Sequence, residues 1–79
     1  MTTLTLYHRQ ECHLCDQMID KLEPLAKQFD FTLVYVDIDA DPALKQRFNV
    51  KVPVLMFKDD VVCCHFLDEK ALRQALRDG

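Results

Sequence analysis

The chain has 79 residues and a formal net charge of −3, with 49% hydrophobic and 29% charged residues. That balance excludes a disordered or fibrous chain, and the acidic charge leaves no basic surface for nucleic acid. Residues 1–7 contain neither a basic leader nor a long apolar run, so we expect neither a signal peptide nor a membrane span. We predict a cytoplasmic monomer in which residues 1–79 form one domain.

The first half of the chain predicts alternating strands and helices. Apolar residues alternate with threonines up to His8, which is typical of a short strand. They then recur at helical spacing and predict a helix over residues 13–28, in which Pro24 should cause a kink or fraying. The nearly continuous apolar run over residues 31–38 predicts a strand that is covered on both faces and has a parallel neighbour.

The middle of the chain predicts a short helix followed by a hairpin. Asp41 and Pro42 suit the cap and the first turn of a brief helix that ends near Asn49. Residues 52–57 and 61–66 then predict two strands, joined by a tight turn at the two aspartates between them.

The last element is a helix that Asp68 can cap. The predicted order of elements is therefore β-α-β-α-β-β-α. Right-handed crossovers and short connections leave few ways to arrange these elements. We predict an α/β fold with a four-stranded mixed sheet and helices on both of its faces.

Two cysteines lie where the first strand gives way to the first helix. A helix N-terminus presents unpaired amides and a positive partial charge, which favour a thiolate at Cys12. The spacing places Cys15 one helical turn further on, close enough to resolve a mixed disulfide. We predict that Cys12 attacks, that Cys15 resolves, and that Cys12 ionises at a lower pH than a free cysteine. His13 can add a donor or a positive charge to this site, whereas the neighbouring acids oppose the thiolate.

Three other interpretations of the same residues stay open. Cys12 and Cys15 can be small apolar residues that only cap the helix. They can be ligands in a metal or iron-sulfur module, together with His13, a second chain or glutathione, although too few ligands converge for a closed site. The chain can also be a non-catalytic interaction domain that keeps the fold as a docking surface.

Three segments resemble the thioredoxin superfamily, and more closely its glutaredoxin-like branch. They are Leu6-Tyr7-His8, Cys12-His13-Leu14-Cys15 and Lys51-Val52-Pro53. The resemblance implies a thioredoxin-like fold and a thiol-disulfide oxidoreductase without a tightly bound cofactor, acting on a disulfide in a protein or a small molecule. It also implies that Pro53 is cis and lies against the cysteine pair, and that the main chain of Val52 contacts the substrate. The alternative for Pro53 is a plain edge-strand proline.

The residues around the motif give conflicting indications about glutathione as the reductant. Arg9 lies three positions before Cys12, where glutaredoxins carry a basic residue that holds a glutathione carboxylate; a solvated loop charge is the alternative. Glutaredoxins also carry two glycines after the hairpin, where this chain has Cys63 and Cys64. The buried acid of thioredoxins is replaced by Leu6. The reductant therefore stays open between glutathione and a dithiol protein.

Cys63 and Cys64 are consecutive in a predicted strand, so their side chains should point to opposite faces of the sheet. We predict that both are small core residues. A regulatory thiol or a metal ligand is the alternative.

Overall fold

The computed structural model describes residues 2–78. Its strands are β1 (Thr2–His8), β2 (Phe31–Asp37), β3 (Val54–Phe57) and β4 (Asp60–Cys64). Its α-helices are α1 (His13–Phe29), α2 (Pro42–Phe48) and α3 (Glu69–Asp78), and a short 3-10 turn, Ile38–Ala40, lies between β2 and α2. The predicted order of strands and α-helices is confirmed.

The four strands form one mixed sheet in the order β2-β1-β3-β4. β1 is parallel to β2 and antiparallel to β3, which in turn pairs antiparallel with β4. On one face, Leu4 and Leu6 of β1 pack in a cluster with Leu22 of α1 and Leu72 of α3. The opposite face carries a second cluster that includes Phe48 of α2. Helices therefore cover both faces, as predicted.

The prediction that the second strand is covered on both faces is wrong, although its parallel neighbour is confirmed. β2 is an edge strand, and its Val34 and Tyr35 side chains are 43% and 44% exposed. The short helix α2 packs through Phe48 against residues of β1 and β3, and the described part of that cluster contains no residue of β2. An apolar run therefore does not distinguish a central strand from an edge strand that a short helix leaves uncovered.

Several element boundaries differ from the prediction, and β3 begins at Val54 instead of residue 52. α1 continues past Pro24 to Phe29 without fraying, because Pro24 lies on the exposed side of the helix, where water can replace the lost amide. The hairpin turn falls at Lys58 and Asp59, one residue early, since Phe57 pairs with Asp60.

A further difference is at the end of β4, which stops at Cys64 instead of residue 66. The next residue, His65, has a φ of 68°, a left-handed backbone conformation that ends the strand.

The predicted helix caps are confirmed. Oδ1 of Asp41 accepts a hydrogen bond from the backbone N–H of Ala43 at 2.9 Å, and Oδ1 of Asp68 accepts one from Ala71 at 3.1 Å. Each aspartate thus satisfies one of the amides that a helix start leaves unpaired. In the described part of the chain, residues 2–78, no helix is both long and apolar enough to cross a membrane.

Cys63 and Cys64 point to opposite faces of the sheet, and only Cys63, which is partly buried, packs against the core. Cys63 pairs with Leu55 and packs against the cluster under α3. Cys64 pairs with Val54 on the other face and is exposed, so the predicted core role is wrong for Cys64. The reason is that β4 is an edge strand, and the cluster that packs under α2 includes no residue of β4 in the described part of the chain.

Candidate active site

Cys12 and Cys15 form a disulfide at the start of α1, with their Cα atoms 5.2 Å apart. Cys12 is the N-cap residue, and its Sγ atom accepts a hydrogen bond from the backbone N–H of Cys15 at 3.2 Å. Cys12 is half-buried, whereas Cys15 is only 1% exposed. An outside partner can therefore reach the sulfur of Cys12 more readily than that of Cys15.

A left-handed residue turns the chain from β1 into α1. Glu11 has a φ of 56°, and Cys12 then returns to an extended conformation with a φ of −118°. The backbone N–H of Asp16 donates to the carbonyl of Cys12 at 3.0 Å and closes the first turn of the helix. A left-handed non-glycine residue costs about 1 kcal/mol, so the fold stores strain directly before the first cysteine.

The floor of the site is apolar. Cys15 belongs to the buried cluster that contains Val52, Val54 and Phe48, and Cys12 packs against the edge of the same cluster. The ring of Tyr7 stacks on that of Phe48 with centroids 4.7 Å apart, which joins the end of β1 to α2. The structure therefore brings the predicted residues Cys12, Cys15 and Val52 together.

The Val52–Pro53 peptide bond is cis, the isomer that the family resemblance implies. Both residues are buried, and β3 begins directly after them. The carbonyl of Pro53 accepts a hydrogen bond from the backbone N–H of His65 at 2.9 Å. Among the backbone hydrogen bonds outside helices and strands in residues 2–78, none uses the main chain of Val52.

Arg9 is held by two distant residues. Its Nη2 donates to Oδ1 of Asp39 at 2.9 Å and its Nε to Oδ2 at 3.4 Å, while Nη1 donates to the side-chain oxygen of Asn49 at 2.8 Å. Arg9 is thus a partly exposed charge that is paired within the protein. It ties the loop before Cys12 to the 3-10 turn and to the end of α2.

His13 is the first residue of α1, and its side chain is exposed beside Cys12. Among residues 2–78, no hydrogen bond or ion pair of its side chain is present. Within residues 2–78, no three His, Cys, Asp or Glu side chains lie close enough together to hold a metal ion.

His65 is a residue of this region that sequence analysis missed. Its Nε2 lies 2.9 Å from the carbonyl oxygen of Val50, in the loop that leads to Val52. Its position in the sequence could have indicated a role, since His65 directly follows the two cysteines that stand where glutaredoxins carry glycines. His65 itself takes a left-handed conformation there.

Comparisons with known proteins identify the family and the fold of the chain. The model of the glutaredoxin-like domain (DUF836) matches residues 3–77. The chain is 36% identical to protein Ne2328 from Nitrosomonas europaea, with a TM-score of 0.81 over 92% of this chain and 88% of that one. It is 37% identical to the structural genomics target XcR50 from X. campestris, with a TM-score of 0.71 over 96% of this chain and 97% of that one.

More distant structures share the fold. Thioredoxin 1 from Thermosipho africanus is 17% identical, with a TM-score of 0.65 over 96% of this chain and 91% of that one. A search of curated proteins finds no significant match. Because the family model spans nearly the whole chain, the protein belongs to the glutaredoxin-like family and has a thioredoxin-like fold.

Proposed function

We propose that the protein is a thiol-disulfide oxidoreductase in which Cys12 attacks a substrate disulfide and Cys15 releases the product. One observation carries the proposal. The two sulfurs are bonded at a helix start, where the amide of Cys15 donates to the Sγ atom of Cys12. Their unequal exposure supports the assignment of the two roles, since only the attacking sulfur must meet an outside partner.

The reaction consists of two exchanges. The thiolate of Cys12 attacks one sulfur of the substrate disulfide, forms a mixed disulfide and expels one substrate thiolate. The thiolate of Cys15 then attacks the sulfur of Cys12, forms the internal disulfide and releases the second substrate thiolate. The substrate gains two electrons and two protons, and the protein dithiol loses them. A thiol donor, either glutathione or a dithiol protein, returns the pair to the reduced state.

Val52 is proposed to align the substrate. Its side chain is buried, while its main-chain N–H and C=O make none of the loop hydrogen bonds described above. A residue before proline favours an extended conformation, which suits pairing with an extended substrate backbone. Under this proposal Pro53 lies against the cysteine pair, and His13, exposed beside Cys12, contacts the substrate.

Two observations favour a dithiol protein over glutathione as the reductant. The guanidinium of Arg9 already faces the carboxylate of Asp39, which competes with any carboxylate of glutathione. The exposed side chain of Cys64 also occupies one of the two positions where glutaredoxins carry glycines. We further propose that the protein is cytoplasmic, because a reducing compartment keeps such a cysteine pair available as a dithiol. We also propose that it is a monomer.

Two serine variants test the proposal. Cys12→Ser should lower the rate of reduction of a model disulfide by at least about 100-fold, because the nucleophile is lost. In the Cys15→Ser variant, Cys12 should still attack the substrate disulfide, but the mixed disulfide should accumulate. Mass spectrometry should detect it as the added mass of one substrate thiol. Cys64→Ser is the matched control for the loss of an exposed thiol, and its rate should equal that of the wild type.

The proposal fails if the wild-type protein reduces no model disulfide, including glutathione mixed disulfides, with either kind of reductant. It also fails if Cys12→Ser keeps the wild-type rate.

A further inference from the structure

The segment after β4 turns sharply at His65. Cys64 still pairs with Val54, but His65 takes a left-handed conformation with a φ of 68°. The backbone N–H of Phe66 donates to the carbonyl of Cys64 at 2.8 Å, which closes the turn. This turn brings the imidazole of His65 to the loop of residues 49–53, which leads from α2 to β3.

His65 makes two hydrogen bonds to this loop. Its backbone N–H donates to the carbonyl of Pro53 at 2.9 Å, and its Nε2 lies 2.9 Å from the carbonyl oxygen of Val50. A carbonyl oxygen only accepts, so Nε2 must carry the hydrogen, either in the neutral tautomer with Nε2–H or in the imidazolium. One residue therefore binds the chain on both sides of Val52.

The rest of the loop is anchored at its neighbouring positions. The backbone N–H of Lys51 donates to the carbonyl of Phe48 at 2.9 Å, and Asn49 accepts hydrogen bonds from Arg9. The side chain of Val50 is 79% exposed, so apolar packing contributes little to holding that position. In the part of the chain that the structure describes, the bond from His65 is the hydrogen bond that holds Val50.

We propose that His65 is a positioning residue for the active site. Its side chain and backbone hold Val50 and Pro53, so that the intervening main chain of Val52 keeps the extended geometry in which it pairs with substrate. The inference rests on the proposed function, because that function assigns Val52 the substrate contact. His65 itself does not touch the reacting sulfurs in this scheme; it acts through the loop.

Two substitutions separate the imidazole from the backbone. His65→Gly keeps the left-handed conformation at no steric cost and removes only the side chain. His65→Gln returns an N–H donor of similar reach to the carbonyl of Val50. Comparing the two variants therefore reports the hydrogen bond itself.

The first measurement is amide hydrogen exchange at Lys51, whose N–H bond to Phe48 opens when the loop loosens. Exchange should be about tenfold faster in His65→Gly than in the wild type, the effect of losing one hydrogen bond, and should return to within about threefold in His65→Gln. This measurement does not depend on enzyme activity.

The second measurement is the reduction of a disulfide in an extended peptide. KM should rise about tenfold in His65→Gly with kcat changed less than about twofold, and His65→Gln should recover most of the loss. The pH profile for alkylation of reduced Cys12 should be the same in all three proteins, because His65 acts on substrate alignment.

Equal Lys51 exchange in wild type and His65→Gly would overturn the inference, and so would a His65→Gln variant as impaired as His65→Gly. A changed Cys12 profile in His65→Gly would likewise contradict it. If the wild type reduces no disulfide, the proposed function fails, and the exchange data alone decide whether His65 holds the loop.

Discussion

The backbone N–H of Cys15 donates a hydrogen bond to the Sγ atom of Cys12, which caps α1. At an N-cap position the acceptor is usually a side-chain oxygen of Ser, Thr, Asp or Asn. A hydrogen bond to an ionised acceptor is roughly twice as strong as one to a neutral acceptor. We therefore expect the same hydrogen bond to favour the thiolate of Cys12 once the disulfide is reduced.

Reduced Cys12 should be alkylated at a lower pH than a free cysteine, because the helix amide and the helix dipole stabilise its thiolate. The measurement is the rate of iodoacetamide labelling of Cys12 against pH, followed by mass spectrometry in Cys15→Ser. That variant keeps the backbone donor of residue 15. A profile identical to that of an unperturbed thiol would contradict the prediction.

Arg9→Ala should lower the free energy of unfolding by about 1 kcal/mol, because it removes the partly exposed hydrogen bonds to Asp39 and Asn49. Urea denaturation measures the change. Arg9→Lys should recover only part of it, since an ammonium group cannot reproduce the fork of the guanidinium. An Arg9→Ala protein as stable as the wild type would show that the network contributes nothing.

The same variant tests whether Arg9 binds substrate. Because Asp39 already binds the guanidinium of Arg9, we expect Arg9 not to bind glutathione. Arg9→Ala should then change the rate for a glutathione mixed disulfide and the rate for an uncharged model disulfide by the same factor. A loss confined to the glutathione substrate would instead assign Arg9 to a glutathione carboxylate.

The two remaining thiols should differ in reactivity. Burial raises the pKa of the Cys63 thiol; the backbone N–H of Asp68 lowers it in part, and the negative charges of Asp68 and Cys64 raise it. At pH 8 a smaller fraction of Cys63 is therefore thiolate than of an ordinary cysteine, and its labelling should require a higher pH than that of an ordinary cysteine. In the oxidised protein we expect Cys64 to be alkylated at least about tenfold faster than Cys63.

Mass spectrometry of iodoacetamide-treated protein gives both labelling rates, and Cys64→Ser isolates that of Cys63. Equal rates for the two thiols would show that the burial of Cys63 does not govern its reactivity.

Lys58→Gly should stabilise the protein by about 0.5 kcal/mol without changing activity. Lys58 is the first residue of a two-residue hairpin turn and has a φ of 56°, at a position where such turns favour glycine. We expect relief of the steric cost to exceed the entropy that glycine adds to the unfolded chain, together with the lost contact between the Lys58 ammonium and the Phe57 ring, 5.3 Å from its centroid. Urea denaturation measures the change, and Asp59→Gly is the control that should give no gain.

Much of the fold was predictable because its signals are local. The caps Asp41 and Asp68 lie within three residues of the amides they bind. The apolar residues that predict α1 recur every three or four positions, about one helical turn apart. The placement of Cys12 at a helix start depends on the same short-range pattern. Element order and the cysteine pair could therefore be predicted from the sequence alone.

Contacts between distant residues were decided only by the tertiary structure. Arg9 binds Asp39 and Asn49, which lie 30 and 40 positions away. His65 reaches Val50 only because β4 pairs with β3. The exposure of Cys64 likewise depends on which strands lie at the edges of the sheet. The sequence alone determined which residues are candidates for the proposed chemistry. The order of strands decided which distant residues contact the loops around them, because strand order depends on packing over the whole chain.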